Sequence, residues 1–390
     1  MMVDTTLGVT APGGFLASGV SCGLKSHGGK DLALVVNDGP EFHCAAVFTT
    51  NRFPAAPVQW SKQVLAHGRD IRGVVLNSGG ANACTGDQGL NDARAMAEAV
   101  DHHLHCGDTS VLVASTGLIG VLLDMNKVEA GISQAADQLS EHGGLDAAQA
   151  IMTTDTVTKQ AGYTSDRGWT VAGMAKGAGM LAPALATMLV VLTTDAIPPG
   201  PLQPVLNKAT SISFDRADSD GCMSTNDMVV LLANGHSAVV ADAQEFQEAL
   251  NSVCVSLAKQ LIADAEGAEH AITITVEEAH SVEDGLEVAR SIARSNLFKC
   301  AISGNDPNWG RVLASMGTTQ ADFDPDTVDV FFNDVGVFLG GAPGVPRDQV
   351  DLSEFEVTVR VNLHAGGHCA VVWTNDLTHG YVSENADYSS

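Results

Sequence analysis

The sequence predicts an α/β protein of mixed sheets covered by helices, and three observations predict it. Short β-branched runs alternate with segments of helical spacing throughout the 390 residues. Apolar residues make up 45% and charged residues 17%, with no polar or low-complexity block, which is the balance of a fully folded globular chain. The 40 glycines supply turns between many short elements. Strands are too numerous and too evenly mixed with helices for a bundle or a pure β-sandwich.

In chain order, DLALVVN (31–37), AAVFTT (45–50), GVVLN (73–77) and VLVAST (111–116) read as strands. NDARAMAEAVDHHL (91–104) spaces Ala, Met and Val at helical intervals behind an Asn cap. A second helix covers Met125 to Leu139, and a third begins near Asp146. GWTVAGMA (168–175) leads through a Gly-rich turn into a strand opening at Thr187, and DMVVLLAN (227–234) is another strand. Ala241 to Glu266 forms a long helix interrupted once, ITITVEE (272–278) returns to strand, and NWGRVLASMG (308–317) is helical after the Asp306-Pro307 turn. TVDVFF, FEVTVRVNL and HCAVVWTND are strand patterns near the end, whereas APGGFL near the start and GGAPGVPRD (340–348) read as loops. No internal repeat and no Pro-, Ser- or Gly-rich linker divides the chain.

The formal charge is −26, from 46 acidic and 20 basic residues, with no Lys/Arg cluster. Such a surface repels phosphate backbones and anionic lipid, so neither nucleic acid nor membrane is an expected partner. An anionic substrate must be caught by a few placed cations. The N-terminus lacks a charged segment followed by an apolar one, and no apolar stretch reaches the roughly 20 residues that span a bilayer, so the expected location is cytoplasmic. The 8 cysteines (Cys22, Cys44, Cys84, Cys106, Cys222, Cys254, Cys300, Cys369) contain no CxxC pair and read as reduced, mostly buried thiols.

One hydroxyl stands out in KGAGMLAPALATMLVVLTTDA (176–196): from Met180 to Leu192 every residue is apolar except Thr187. A β-branched residue suits a strand, so composition alone leaves Thr187 unremarkable. The glycines around Lys176 do not form a phosphate loop, because the lysine precedes them and no Ser/Thr follows. His102, His103 and His105 with Cys106, and His364 and His368 beside Cys369, lack a carboxylate set at structural-site spacing, so no metal is expected. No G-x-S-x-G elbow is present. Polar islands lie between strands at NSGGANACTG, STGLIG, IMTTDT, DSDGCMSTND, DAEG, NDPNWGR and the C-terminal DLTHGYVSENADYSS.

Seven of these motifs in order, MTTDT, AKGAGMLAPALATML, STNDMVVLLANG, ADAEG, GNDPNWGRV, YVSENADYSS and the early GVTAPGGF, carry a resemblance from residue 8 to Ser390. The chain resembles the glutamate N-acetyltransferase/ornithine acetyltransferase family of arginine biosynthesis. The resemblance implies an αββα-type sandwich with a smaller C-terminal α/β region of about residues 280–390. It also implies a precursor that cuts itself between Ala186 and Thr187 into an alpha segment, 1–186, and a beta segment, 187–390, which stay together and pair as α2β2. Thr187 would then be the nucleophile, Thr116 and Gly117 the oxyanion hole, and Thr153, Lys176, Glu266, Asn385 and Ser390, with Thr187, the substrate contacts. The implied reaction moves acetyl from N-acetylornithine to glutamate, with acetyl-CoA as a possible second donor and no other cofactor. A self-cleaving N-terminal-nucleophile aminopeptidase and an uncleaved binding protein are the alternatives.

The chemistry is coherent without the name. An α-amino group with a pKa near 7.8 is about one-third neutral at about pH 7.5, whereas a lysine near 10.4 is neutral about once in a thousand. A new N-terminal threonine therefore carries its own general base beside its hydroxyl. By charge, Lys176 is expected to neutralise a substrate carboxylate and Glu266 to meet the ornithine ammonium. Two departures stand out: Ala268, Glu269 and His270 follow ADAEG in place of the usual cation, and Cys222 and Met223 replace small hydroxyl residues.

Overall fold

A computed structural model describes residues 1–26, 28–68, 70–180 and 188–387. The expected cleavage pair Ala186 and Thr187 and the terminal Ser390 lie outside the described residues. Two compact units emerge, one from Met1–Met180, 188–215 and Cys222–Leu261 and another from Arg216–Gly221 and 262–387.

The first unit contains β1 (Phe15–Val20), β2 (Leu32–Asn37), β3 (His43–Phe48), α1 (Ala56–Ala66), β4 (Gly73–Asn77), α2 (Gly86–Leu104), β5 (Val111–Ser115), α3 (Met125–Asp137) and α4 (Gly144–Ala150). It continues through β6 (Lys159–Thr164), β7 (Thr170–Lys176), β8 (Leu189–Thr194), α5 (Leu202–Ser211) and β9 (Met228–Ala233) to the long helix α6 (Ala243–Ala263). Among the described residues these strands form two sheets, ordered β1-β2-β4-β5 and β3-β9-β8-β7-β6. β4 and β5 are parallel and joined by the crossover helix α2, and β8 and β9 are parallel inside the other sheet. Every residue of β2, β4, β5, β8 and β9 is buried. Strands covered on both faces read as continuous Val/Leu/Ala runs, which is why they were legible in sequence. One apolar core runs from Met96 of α2 and Ile132 of α3 through Leu34 and Val75 to Val191 and Val230 of the other sheet. Two sheets sharing a core with helices packed on them match the expected α/β class.

The second unit comprises β10 (Ala271–Ala279), α7 (Val282–Ala293), α8 (Asn296–Ser303), α9 (Trp309–Met316), β11 (Asp329–Phe332), β12 (Val335–Leu339), β13 (Ala342–Pro343), β14 (Glu356–Asn362), β15 (His368–Asn375) and α10 (His379–Asp387). Its sheet runs β13-β12-β11-β14-β10-β15, with β10 and β14 parallel. β10 alternates half-buried and buried residues, placing Ile272, Ile274 and Val276 in a core with Val288 and Ile292 of α7. Asn308 caps α9 by accepting the Arg311 N–H, and Trp309 stacks on Phe338 at 5.0 Å, so much of NDPNWGR serves packing.

Several expectations are corrected. APGGFL is not all loop, because Phe15 and Leu16 open β1. GGAPGVPRD contains the two-residue strand β13 and a 3₁₀ turn at Arg347–Gln349. The helix expected from an Asn91 cap starts at Gly86, where Gln88 already bonds Asp92 across one turn at 2.7 Å. α6 runs without interruption. α1, α5, β6, α7, α8 and α10 were not read from the sequence. For α7 the signal was present: Ser281 accepts the Asp284 N–H, and Gly285, Val288, Ala289 and Ile292 recur on one buried face. Cys254 alone among the cysteines is buried, Cys84, Cys222, Cys300 and Cys369 are exposed, and all are free. An apolar sequence neighbourhood does not decide which way one short side chain faces. No described helix is long and apolar enough to cross a membrane.

Candidate active site

Strand register assembles a site in the first unit. Lys176, the last residue of β7, stands opposite Leu189 of β8, and Leu189 stands opposite Met228 of β9. Lys176, Met188 and Asp227 therefore share one end of their sheet. In the other sheet the parallel pair β4 and β5 ends with Asn77 opposite Ser115. Thr116 follows directly; its N–H donates to the Asn77 carbonyl at 2.9 Å and its carbonyl accepts from Gly80 at 3.0 Å. The Asn226 amide joins these loops, donating to the Ala81 carbonyl at 2.6 Å and the Ser115 carbonyl at 2.8 Å.

The Lys176 ammonium donates to the Thr116 hydroxyl oxygen at 3.3 Å, and both residues are buried. A threonine whose lone pair is occupied by an ammonium keeps its own proton to donate elsewhere. Gly117 has a φ of 130°, and a Cβ there would stand 2.7 Å from the Gly80 nitrogen, so only glycine fits.

A second residue set surrounds Lys176. Asp155 accepts the Gly177 N–H at 2.7 Å and the Thr153 N–H at 2.9 Å, and it pairs with Lys159 at 2.6 Å with both side chains fully buried. Burial alone would raise the Asp155 carboxyl, but the charges of Lys176 and Lys159, with hydrogen bonds from Lys159 and the Thr153 N–H, outweigh it and hold the group below the usual carboxylate range. Asp227 goes the other way: burial pushes its carboxyl well above that range, against the Met188 N–H and the Lys176 charge. The charges of Lys176 and Lys159 both act on Asp155 and that of Lys176 on Asp227 as well, and a cation held in this buried position suits an anionic ligand or a developing oxyanion.

Breaking the buried pair by Lys159→Met should destabilise the protein by about 3–5 kcal/mol. A depressed folded pKa contributes stability that is fully present above the unfolded value near 3.9 and lost as pH falls through the folded one. Melting curves below about pH 4 should therefore fall more steeply for the natural protein than for Lys159→Met; parallel pH dependences would refute the pairing as a stabiliser.

The second unit brings Glu266 and Asn385 together: the Asn385 side-chain amide donates to the half-buried Glu266 carboxylate at 3.0 Å and to the Tyr381 carbonyl at 3.0 Å. Thr378 donates to the Gly267 carbonyl at 2.6 Å, so α10 is anchored on the turn that carries Glu266. The departure at His270 has a structural use. Its ring nitrogens meet Asp376 at 2.9 Å and the Leu352 carbonyl at 3.0 Å, while the Glu269 and His270 N–H groups both donate to Asp376. His364 lies outside this site, between Glu278 and Asp329. Burial lowers its pKa, but these carboxylate partners, Asp329 first, raise it overall.

Thr116, Gly117, Thr153 and Lys176 are thus gathered in one unit, and Glu266 with Asn385 in the other. Asp155, Lys159 and Asp227 were not singled out from the sequence, although Asp155 lies within MTTDT and Asp227 within STND. Lys159 carried no signal at all.

Comparison with known proteins supplies the context. A family profile described as ArgJ family matches residues 16–390. The chain is 57% identical over 385 residues to the arginine biosynthesis bifunctional protein ArgJ of Streptomyces avermitilis, covering 98% of this chain and 100% of that protein. It is 50% identical over 391 residues to the protein of the same name from Mycobacterium leprae, covering 98% and 96%. Among solved structures it is similar to ornithine acetyltransferase complexed with ornithine from Mycobacterium tuberculosis, at 50% identity, 48% of this chain, 99% of that chain and a TM-score of 0.46.

Proposed function

Because the chain belongs to the ArgJ family, and so is a glutamate N-acetyltransferase of arginine biosynthesis, we propose that it carries acetyl from N2-acetyl-L-ornithine to L-glutamate as an ester on Thr187. The observation that supports this reading is the buried Lys176 ammonium bonded to Thr116 at the sheet end where β8 begins at Leu189.

After self-cleavage, the free amine of Thr187 accepts the Oγ proton as Oγ attacks the acetyl carbonyl carbon. The carbonyl oxygen becomes an oxyanion, met by the Thr116 hydroxyl and the Gly117 N–H. Lys176 polarises that hydroxyl, and its positive charge stabilises the anion or neutralises a substrate carboxylate. The ornithine nitrogen takes the proton and leaves. Glutamate then attacks the acetyl-threonine ester through the same steps in reverse. Acetyl-CoA serves as a second acetyl donor, no resident cofactor is needed, and the segments work as a cytoplasmic α2β2 assembly.

Two assays test this. Incubation with N-acetylornithine alone should release ornithine and add the mass of one acetyl group to the segment beginning at Thr187; acetyl found on another residue, or on none, would remove the ester. Acetylation of glutamate should also proceed with acetyl-CoA as sole donor, and no product there would leave the enzyme with one donor. Glu266→Lys places a cation where the ornithine ammonium is expected. It should raise KM for N-acetylornithine at least about tenfold, the worth of roughly 1.4 kcal/mol, and unchanged kinetics would refute the assignment.

A further inference from the structure

A cavity of about 140 Å³ lies within the second unit, lined among others by Ser219, Asp220, Arg294, Lys299, Asn375 and Tyr381. Lys299 of α8 is only 5% exposed, and among the described residues its ammonium donates to the Ser219 carbonyl and, at 3.4 Å, to the Thr374 hydroxyl. Both acceptors are uncharged. An ammonium carries three N–H donors, so one remains for the cavity. Burial draws the Lys299 pKa down to about 8, against the charges of Asp220, Asp218 and Asp376. Of these carboxylates, Asp376 is engaged by His270 and two backbone N–H groups, and Asp218 by Arg294 and the Gly221 N–H. A charge is kept in so buried a place where a partner of opposite sign meets it.

Arg294, at the C-terminal end of α7, supplies a second cation to the same cavity. Its Nε donates to Asp218 at 2.7 Å, and its two Nη groups have no hydrogen-bond partner among the described residues. The side chain is half exposed, so these groups stand at the mouth while Lys299 lies inside. A guanidinium offers a flat set of donors that matches the two oxygens of a carboxylate.

We propose that this cavity binds the carboxylate of a small organic acid, one oxygen on the Lys299 ammonium and the other on the Arg294 guanidinium. Cavities of about 150 Å³ hold benzene, so the whole ligand is limited to roughly six heavy atoms. Asp220 and Asp376 also line the cavity, and their charges favour an anion with one negative charge over a dianion such as sulfate. The site uses none of the residues assigned to acetyl transfer and does not depend on Thr187.

Calorimetric titration of the full-length protein with sodium acetate at fixed ionic strength tests the site. Saturable binding is expected, and sulfate should bind at least about tenfold more weakly. Lys299→Gln keeps a donor for the Ser219 carbonyl but removes the charge; it should weaken acetate binding at least about tenfold, as should Arg294→Gln. Absence of saturable binding overturns the site. Acetate held elsewhere on the chain would be untouched by Lys299→Gln, so an unchanged affinity in that variant overturns it as well. Sulfate binding as tightly as acetate overturns the carboxylate assignment. Should Lys299→Gln fail to fold, Arg294→Gln decides, because it alters a half-exposed side chain: weakened acetate binding supports the site, and unchanged binding refutes it.

Discussion

Thr187→Ala is expected to remain a single band of 40.4 kDa on a denaturing gel and to show no acetyl transfer. In the proposed mechanism two steps use the same hydroxyl, first against the Ala186 carbonyl and then against the acetyl group. Its removal abolishes both, and losses on deleting a nucleophile run to about 10⁴–10⁶-fold. Thr187→Ser retains hydroxyl and amine and should still be cut, more slowly, because serine lacks the methyl group that restricts its rotamer. Detection of processed or active Thr187→Ala protein would take Thr187 out of the mechanism.

Gly117→Ala should lower kcat about 100- to 1,000-fold with little change in KM, the signature of losing a donor that acts in the transition state. A methyl group there meets the Gly80 nitrogen at 2.7 Å and its Cα at 2.9 Å, both backbone atoms that cannot rotate away. Gly80 is hydrogen-bonded to Thr116, and Ala81 to Leu118, so relief of the clash must move the proposed oxyanion loop itself. Gly120→Ala is the control. Gly120 also has a positive φ, 83°, but a Cβ there meets nothing within 4 Å, so this change should cost about 1–2 kcal/mol of stability and leave kcat nearly intact. Equal kcat losses in the two variants would mean that general strain, not donor placement, explains Gly117.

Legibility in the sequence followed the kind of signal. Strands buried on both faces announce themselves as apolar runs, and β2, β4, β5, β8 and β9 were read correctly within a residue or two. The short amphipathic helices α1, α5 and α8 were passed over, because a single buried stripe across two or three turns resembles a loop with scattered apolar residues. Thr116, Gly117, Thr153, Lys176, Glu266 and Asn385 were named from local motifs. Asp155 and Asp227 acquire much of their meaning from residues far along the chain, Lys176 and Gly177 for Asp155 and Met188 and Lys176 for Asp227.

By itself, the sequence determined the family of this chain, its acetyl-transfer chemistry and the lone hydroxyl that becomes Thr187, because residue type and order set which reactions are open. Only tertiary structure decided the electrostatics. Strand register put Lys176, Met188 and Asp227 at one sheet end; burial raises both carboxyls, but two ammonium charges hold Asp155 down, whereas burial prevails at Asp227. A carboxylate's pKa depends on the charges and water within a few ångströms, and those neighbours are assigned by the fold, not by the chain's order.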